Sequence, residues 1–199
     1  MDYDKALDLD PKDQNFKALV YYNRGIAYDD IGNHAQAITD FDKAIELNPK
    51  YESAYVHRGI AHKNLGEYLK AVKDYSKAIE INPSNYNAYN NRGGSYVNLK
   101  NYQQAITDFD KAIELNPRVA MVYGNRGIAY RSLGNNQQAI KDFDKVIELD
   151  PKSAWAYFNR GMTYFILEND KQRNADLKIA ARLGHKEAQE ILKTIGVDW

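Results

Sequence analysis

The chain has 199 residues, in which 27 basic and 27 acidic side chains give a formal net charge of zero, and it contains no cysteine. That balance leaves no basic stripe for nucleic acid or an anionic membrane surface, and the missing thiols exclude disulfides and thiolate metal sites. No apolar stretch approaches the roughly 18–20 residues of a membrane span, and the opening MDYDKALDLDPKD is acidic with no signal-peptide core. The expectation is a soluble chain without membrane insertion or a nucleic-acid partner, with the cytoplasm as the default compartment.

From the N-terminus, the first predicted element is DYDKALDLDP, in phase with the later DFDKAIELNP but lacking a helix before it. Residues 1–17 therefore read as an N-terminal half-repeat and linker, either a capping element or the cut edge of a longer array. Four extra residues around Asp13–Lys17 lengthen the interval from Pro11 to Pro49, after which Pro49, Pro83, Pro117 and Pro151 recur every 34. Gly25, Gly59, Gly93, Gly127 and Gly161 keep the same period, each as far ahead of its proline slot as Gly25 is of Pro49. Such a lattice defines an array of one 34-residue unit, with complete copies at 18–51, 52–85, 86–119, 120–153 and 154–187.

In the third copy, apolar and small residues fall at helical spacing in two blocks, about Asn87–Leu99 and Gln103–Asn116. Pro117 ends the second block, because it disfavours helical geometry in the residue before it. Gly93 and Ala105 stand where two antiparallel helices must approach closely, with Tyr96, Phe109 and Ala112 filling the space between. A hairpin of this kind cannot bury its apolar face alone and must stack on its neighbours. At the C-terminus, residues 185–199 read as a capping helix and tail, with a stripe of Ala188, Ile191, Leu192 and Ile195.

Glycine, aromatic, alanine, aromatic, alanine and proline in that order, in five in-register copies, resemble the tetratricopeptide repeat (TPR) family. The resemblance implies an all-α, right-handed superhelical solenoid of stacked helical hairpins. It also implies a non-catalytic scaffold that holds a protein or peptide ligand in a concave groove. Three departures stand out: His62 replaces the Tyr28, Tyr96, Tyr130 and Tyr164 of the other units, Arg173 replaces a small residue, and the fifth unit lacks its proline.

An arginine precedes every repeat glycine (Arg24, Arg58, Arg92, Arg126, Arg160), and an aspartate follows each at a constant offset (Asp40, Asp74, Asp108, Asp142, Asp176). Because the half-repeat supplies Asp2 without an arginine, pairing is expected across each junction, Asp2 with Arg24 and Asp40 with Arg58. Two residues before the glycines stand Asn23, His57, Asn91, Asn125 and Asn159. A side-chain amide offers both donor and acceptor and can read a peptide bond bidentately. These asparagines therefore either grip a ligand backbone, as the family resemblance suggests, or satisfy neighbouring backbone of their own. On the same stripe Tyr22, Ile26, Val56, Ile60, Asn90, Ile128, Trp155, Phe158 and Met162 would supply contact, and Arg131 a charge that tunes selectivity.

The carboxylate clamp of cochaperone members needs lysine and arginine where this chain has Tyr22, Val56, Asn87 and Asn91, so an acidic chaperone tail is not the expected ligand. In the fifth unit Trp155, Phe158, Met162, Phe165 and Ile166 form either a ligand pocket or a face covered by the tail with Val197 and Trp199. Neither a catalytic motif nor a histidine pair on one helical face occurs, so no enzyme activity, cofactor or metal is expected. The alternative to peptide capture is self-association into a homo-oligomer through the half-repeat or the C-terminal apolar face.

Overall fold

The computed structural model of the protein describes Tyr3 and residues 13–199. Among the described residues every regular element is a helix, and the chain divides into two compact units at Asn101. The first unit contains α1 (Gln14–Asp30), α2 (His34–Leu47), α3 (Glu52–Asn64), α4 (Tyr68–Ile81) and α5 (Tyr86–Asn98). The second contains α6 (Tyr102–Leu115), α7 (Ala120–Ser132), α8 (Asn136–Leu149), α9 (Ala154–Ile166), α10 (Asp170–Arg182) and α11 (Lys186–Thr194). The sequence places the third copy's helices one residue later than they stand. The half-repeat, its proposed Asp2–Arg24 pair included, lies outside the described residues.

Within each unit, consecutive helices pack as antiparallel hairpins, and the repeat glycines make that approach possible. A Cβ on Gly25 would sit 2.7 Å from Phe41 Cε1, one on Gly59 2.7 Å from Tyr75 Cε1, and one on Gly127 2.9 Å from Phe143 Cε1. Those rings are wholly buried, among alanines that are equally buried: Ala37 and Ala61 around Phe41, Ala71 and Ala78 around Tyr75. Side chains held at interior packing density cannot yield to a new methyl without strain.

Both connections follow from local chemistry. Each first helix ends on a left-handed residue, Gly66 at φ +76 in the second hairpin, with Glu67 N donating to the His62 carbonyl (2.8 Å) in a Schellman closure. Lys100 and Glu168 adopt the same conformation without being glycine, at φ +60 and +55. The second helices of the first four hairpins stop at the residue before proline, which is extended as proline requires: Asn48 has φ −137 and ψ 89. The Asn48 side chain then accepts from Lys50 N (3.1 Å), closing the turn. The four extra residues near Asp13 enter the first helix. They lengthen α1 to 17 residues against 13 in α3, one added turn, and Asp13 caps it by accepting from Asn15 N and Phe16 N.

The arginine–aspartate lattice is present but in a different register from the one the half-repeat suggested. Arg24 pairs with Asp40, Arg58 with Asp74, Arg126 with Asp142 and Arg160 with Asp176, each bidentate and inside one hairpin. The junction is bridged by a second aspartate, two residues further on. Asp42 meets Arg58 at 2.5 Å, Asp110 meets Arg126 at 2.6 Å and Asp144 meets Arg160 at 2.5 Å. The expected pairing fails because the turn of the hairpin brings each of these four arginines face to face with the aspartate of its own second helix.

In the second copy, serine stands at that bridging place. Ser76 Oγ donates to the Val72 carbonyl (2.7 Å) and accepts from Arg92 Nη1 (3.0 Å). Ser76→Asp should restore the ionic bridge of the other junctions and stabilise the protein by about 0.5–1 kcal/mol. That corresponds to a melting temperature higher by about 1–3 °C. An unchanged or lower melt would mean that the junction aspartates contribute nothing measurable.

At the C-terminus Ala188 and Leu192 of α11 are wholly buried against Leu177, Ala180 and Ala181, with Tyr157, Phe158, Ile191 and Val197 packed around them. The expected stripe is therefore used in full except for Ile195, which lies past the helix and is 43% exposed.

Candidate functional site

The stripe of first-helix residues divides into side chains turned inward and side chains left at the surface. In the first unit Val56 and Asn90 are buried, and Val56 belongs to the core cluster with Tyr55, Tyr75 and Ala88. Both are therefore removed from any ligand surface of that unit. Tyr22 is half-buried against Tyr51 (4.8 Å between ring centroids) and edge-on to His57 (5.3 Å). Burial pushes its phenol above the ordinary value, the Tyr51 ring beside it adding to the effect. His57 Nδ1 lies 2.9 Å from the Ser53 carbonyl and 3.2 Å from the Tyr22 hydroxyl. Its imidazole is thus turned onto its own helix. Ile60 packs against the core, whereas Asn91 is half-buried and Asn23 exposed. Asn23, Ile26, Ala27, Asp30 and Tyr3 line a hollow of 320 Å³.

The second unit carries a depression on its first-helix stripe. Ala120, Met121, Asn125, Val146, Asp150, Ser153 and Trp155 enclose 470 Å³ between α7, α8 and the start of α9. Met121 is 58% exposed and Trp155 40%, so two large apolar side chains stand open in the lining of this pocket. The indole lies where it does because position 124 is glycine: a Cβ there would be 2.8 Å from Trp155 Cζ3. Beneath it, the wholly buried Phe143 meets Trp155 edge-on at 5.9 Å. Arg131 lies over the same ring, 5.9 Å from its centroid, and donates to the Asn159 carbonyl at 3.2 Å.

Asn159 behaves differently from the other asparagines. It is buried, and its Nδ2 donates to the Trp155 carbonyl one turn back (2.9 Å), while Thr163 Oγ1 donates to its own carbonyl (2.7 Å). Here the amide satisfies neighbouring backbone. Phe158 is also withdrawn, stacked on His185 at 4.1 Å beneath the C-terminal helix, and Val197 covers that end. Trp199 stays 44% exposed, as do Phe165 at 54% and Ile166 at 53%, so the tail covers only part of the fifth-unit apolar face. Ile128 and Met162 are half-buried.

The pocket thus gathers Asn125 and Trp155 from the predicted set, beside Arg131, and adds Val146, Asp150 and Ser153, which stripe counting omitted. Asp150 had a signal: it replaces the asparagine found before Pro49, Pro83 and Pro117. Among the described residues no three His, Asp or Glu side chains are grouped to hold a metal, and no helix is long and apolar enough to cross a membrane.

An array of two-helix hairpins with its recurrent glycine, aromatic and alanine contacts defines a helical repeat protein. Family models for the tetratricopeptide repeat match residues 18–51, 53–85, 86–119 and 109–141, and a further TPR model matches 127–167. The chain belongs to the tetratricopeptide repeat family. It superimposes on YrrB, a TPR protein with an unusual peptide-binding site, at a TM-score of 0.78 and 25% identity over 97% of this chain and 98% of that one. MamA is similar at a TM-score of 0.77 and 24% identity, covering 83% of this chain and 96% of that one. MamA from residue 41 to its end, from Desulfovibrio magneticus RS-1, gives 0.80 and 22% identity over 84% and 94%. The MamA likenesses speak for the fold alone. No curated protein matches the chain in sequence. Family and fold make it a protein-interaction scaffold, of a class that is typically non-catalytic.

Proposed function

We propose that this scaffold captures an extended segment of a partner protein on the α7–α9 face of its second unit. The observation that carries the reading is the 470 Å³ pocket walled by Met121 and Trp155, both more than a third exposed, with the Asn125 amide on its rim. An apolar side chain of the segment enters between Met121 and Trp155, where burial of apolar area supplies affinity. Asn125 then addresses the segment's backbone. The peptide-binding site of YrrB, which this chain matches over nearly the whole of both chains, supports the reading.

Panning a library of random twelve-residue peptides against the full chain, followed by calorimetry of the strongest binder, tests it. Trp155→Ala should weaken binding at least tenfold, about 1.4 kcal/mol, with an unchanged helical circular dichroism spectrum. Asn125→Ala should weaken it less. Binding that survives Trp155→Ala undiminished would place the ligand elsewhere. If no peptide is enriched while mass rises with concentration in light scattering, self-association takes over as the function.

A further inference from the structure

Arg131 sits in the last turn of α7 and is half-buried. Its guanidinium rests over Phe143 and gives one N–H to the Asn159 carbonyl. Among the described residues no carboxylate lies within ion-pair distance of it. The contrast with its neighbours is sharp, since Arg126 and Arg160 each hold two aspartates. An arginine cannot relieve a desolvated charge by losing its proton, as a lysine can. Burial alone accordingly lowers the Arg131 pKa, with nothing opposing it. A guanidinium has five N–H donors in a fixed fork, and the Asn159 carbonyl engages one of the terminal nitrogens.

We infer that Arg131 is a specificity residue that receives a carboxylate, the side chain of an aspartate or glutamate in the captured segment, next to the apolar residue seated at Trp155. The inference rests on the peptide-capture reading above and names the chemistry of the ligand. Geometry sets the spacing. Trp155 and Arg131 both approach the Phe143 ring at 5.9 Å, so they lie within roughly 12 Å of one another. An extended chain advances about 3.3 Å per residue, so the acid falls one to four positions from the apolar anchor. The bond is charge-assisted and can be bidentate, and Phe143 beneath keeps water from one face of the guanidinium.

The test uses the strongest twelve-residue binder from the library and its isosteric variant with the acid changed to amide. On the unmodified protein the amide version should bind at least tenfold more weakly. On Arg131→Gln the two versions should bind within twofold of each other, while Arg131→Lys retains part of the preference, since it keeps the charge without the fork. The lysine variant also secures the comparison should Arg131→Gln unfold. Enriched peptides with no acid near the anchor, or an acid preference that survives Arg131→Gln, would overturn the inference and leave peptide capture standing. Failure of any peptide to bind, or indifference to Trp155→Ala, would instead remove the capture reading and this inference with it.

Discussion

Arg126→Ala is expected to lower the stability of the protein by about 3–5 kcal/mol, because it strands a carboxylate inside the second hairpin array. Asp142 has only 6% of its side chain exposed, and Arg126 meets both its oxygens, at 2.9 Å through Nε and 2.6 Å through Nη2. Nη1 meanwhile holds Asp110, and the guanidinium faces the rings of Tyr123 and Tyr130 at 5.6 and 5.8 Å. Burial draws the Arg126 pKa down, but the hydrogen bonds it donates to Asp142 and Asp110, with their charges, outweigh it and hold the group above its ordinary value. The bidentate geometry is that of an ionised pair. Asp142→Ala should cost less, since it leaves Arg126 with Asp110 and with access to water at 19% exposure.

A pH series distinguishes a stranded charge from simple loss of packing. Burial already pushes the Asp142 carboxyl above the usual carboxylate range, with the Arg126 hydrogen bond and charge pulling against it. Removing the guanidinium removes the opposing pull, so in Arg126→Ala the folded-state pKa rises further. A carboxyl whose folded pKa exceeds its unfolded value binds its proton more tightly when folded. Its ionisation therefore penalises the folded state above the folded pKa, and the penalty fades as pH falls through that value toward the unfolded one. Measured by urea denaturation against the unmodified protein at each pH, the deficit should be largest near pH 7 and shrink toward pH 4. A deficit that stays constant over that range would show that Asp142 is not stranded, and that the loss comes from the tyrosine contacts.

What the sequence disclosed, and what it withheld, divides along the same physical line. Positions fixed by sterics were legible by counting. Gly127 must be glycine because Phe143 lies 2.9 Å from its absent Cβ, and the residue before each proline must be extended. Such constraints act on one residue and recur every 34 positions, so a single chain reveals them. The choice of partner was not legible in that way. Asp110 and Asp142 stand equally far along the chain from Arg126, one before it and one after, and only the crossing of the helices determines which is bidentate.

The candidate site shows the same limit more strongly. Val56 and Gly124 occupy equivalent places in their units, three residues before the repeat glycine. Val56 fills the core, while Gly124 leaves room for an indole that comes from the next hairpin. A stripe read from helical periodicity assigns both to the groove, because it sees which face a residue occupies and not what the neighbouring helix places against it. Asn125 and Asn159 likewise share a position in the unit. The buried one is identified by its bond to the Trp155 carbonyl, which no spacing rule could foresee.

Phe143→Ala joins the fold to the site, and its two consequences can be measured separately. The ring is wholly buried, and deleting it should destabilise the protein by about 3–5 kcal/mol through lost burial and the cavity left behind. Phe41 is equally buried in the first unit, so Phe41→Ala should cost a similar amount. The two variants part company in binding. Phe143 is the surface on which both Trp155 and Arg131 rest, each 5.9 Å from its centroid, whereas Phe41 supports Tyr22 and His57 in the other unit. Under conditions where both variants remain folded, Phe143→Ala should therefore weaken the selected peptide several-fold and blunt its preference for the acid. Phe41→Ala should leave both unchanged, and Phe143→Leu, which refills most of the volume, should recover stability before it recovers the acid preference, because an aliphatic side chain offers the guanidinium no π-face. Equal effects of Phe41→Ala and Phe143→Ala on binding would mean that affinity follows global stability, and that the ring has no part in holding the site.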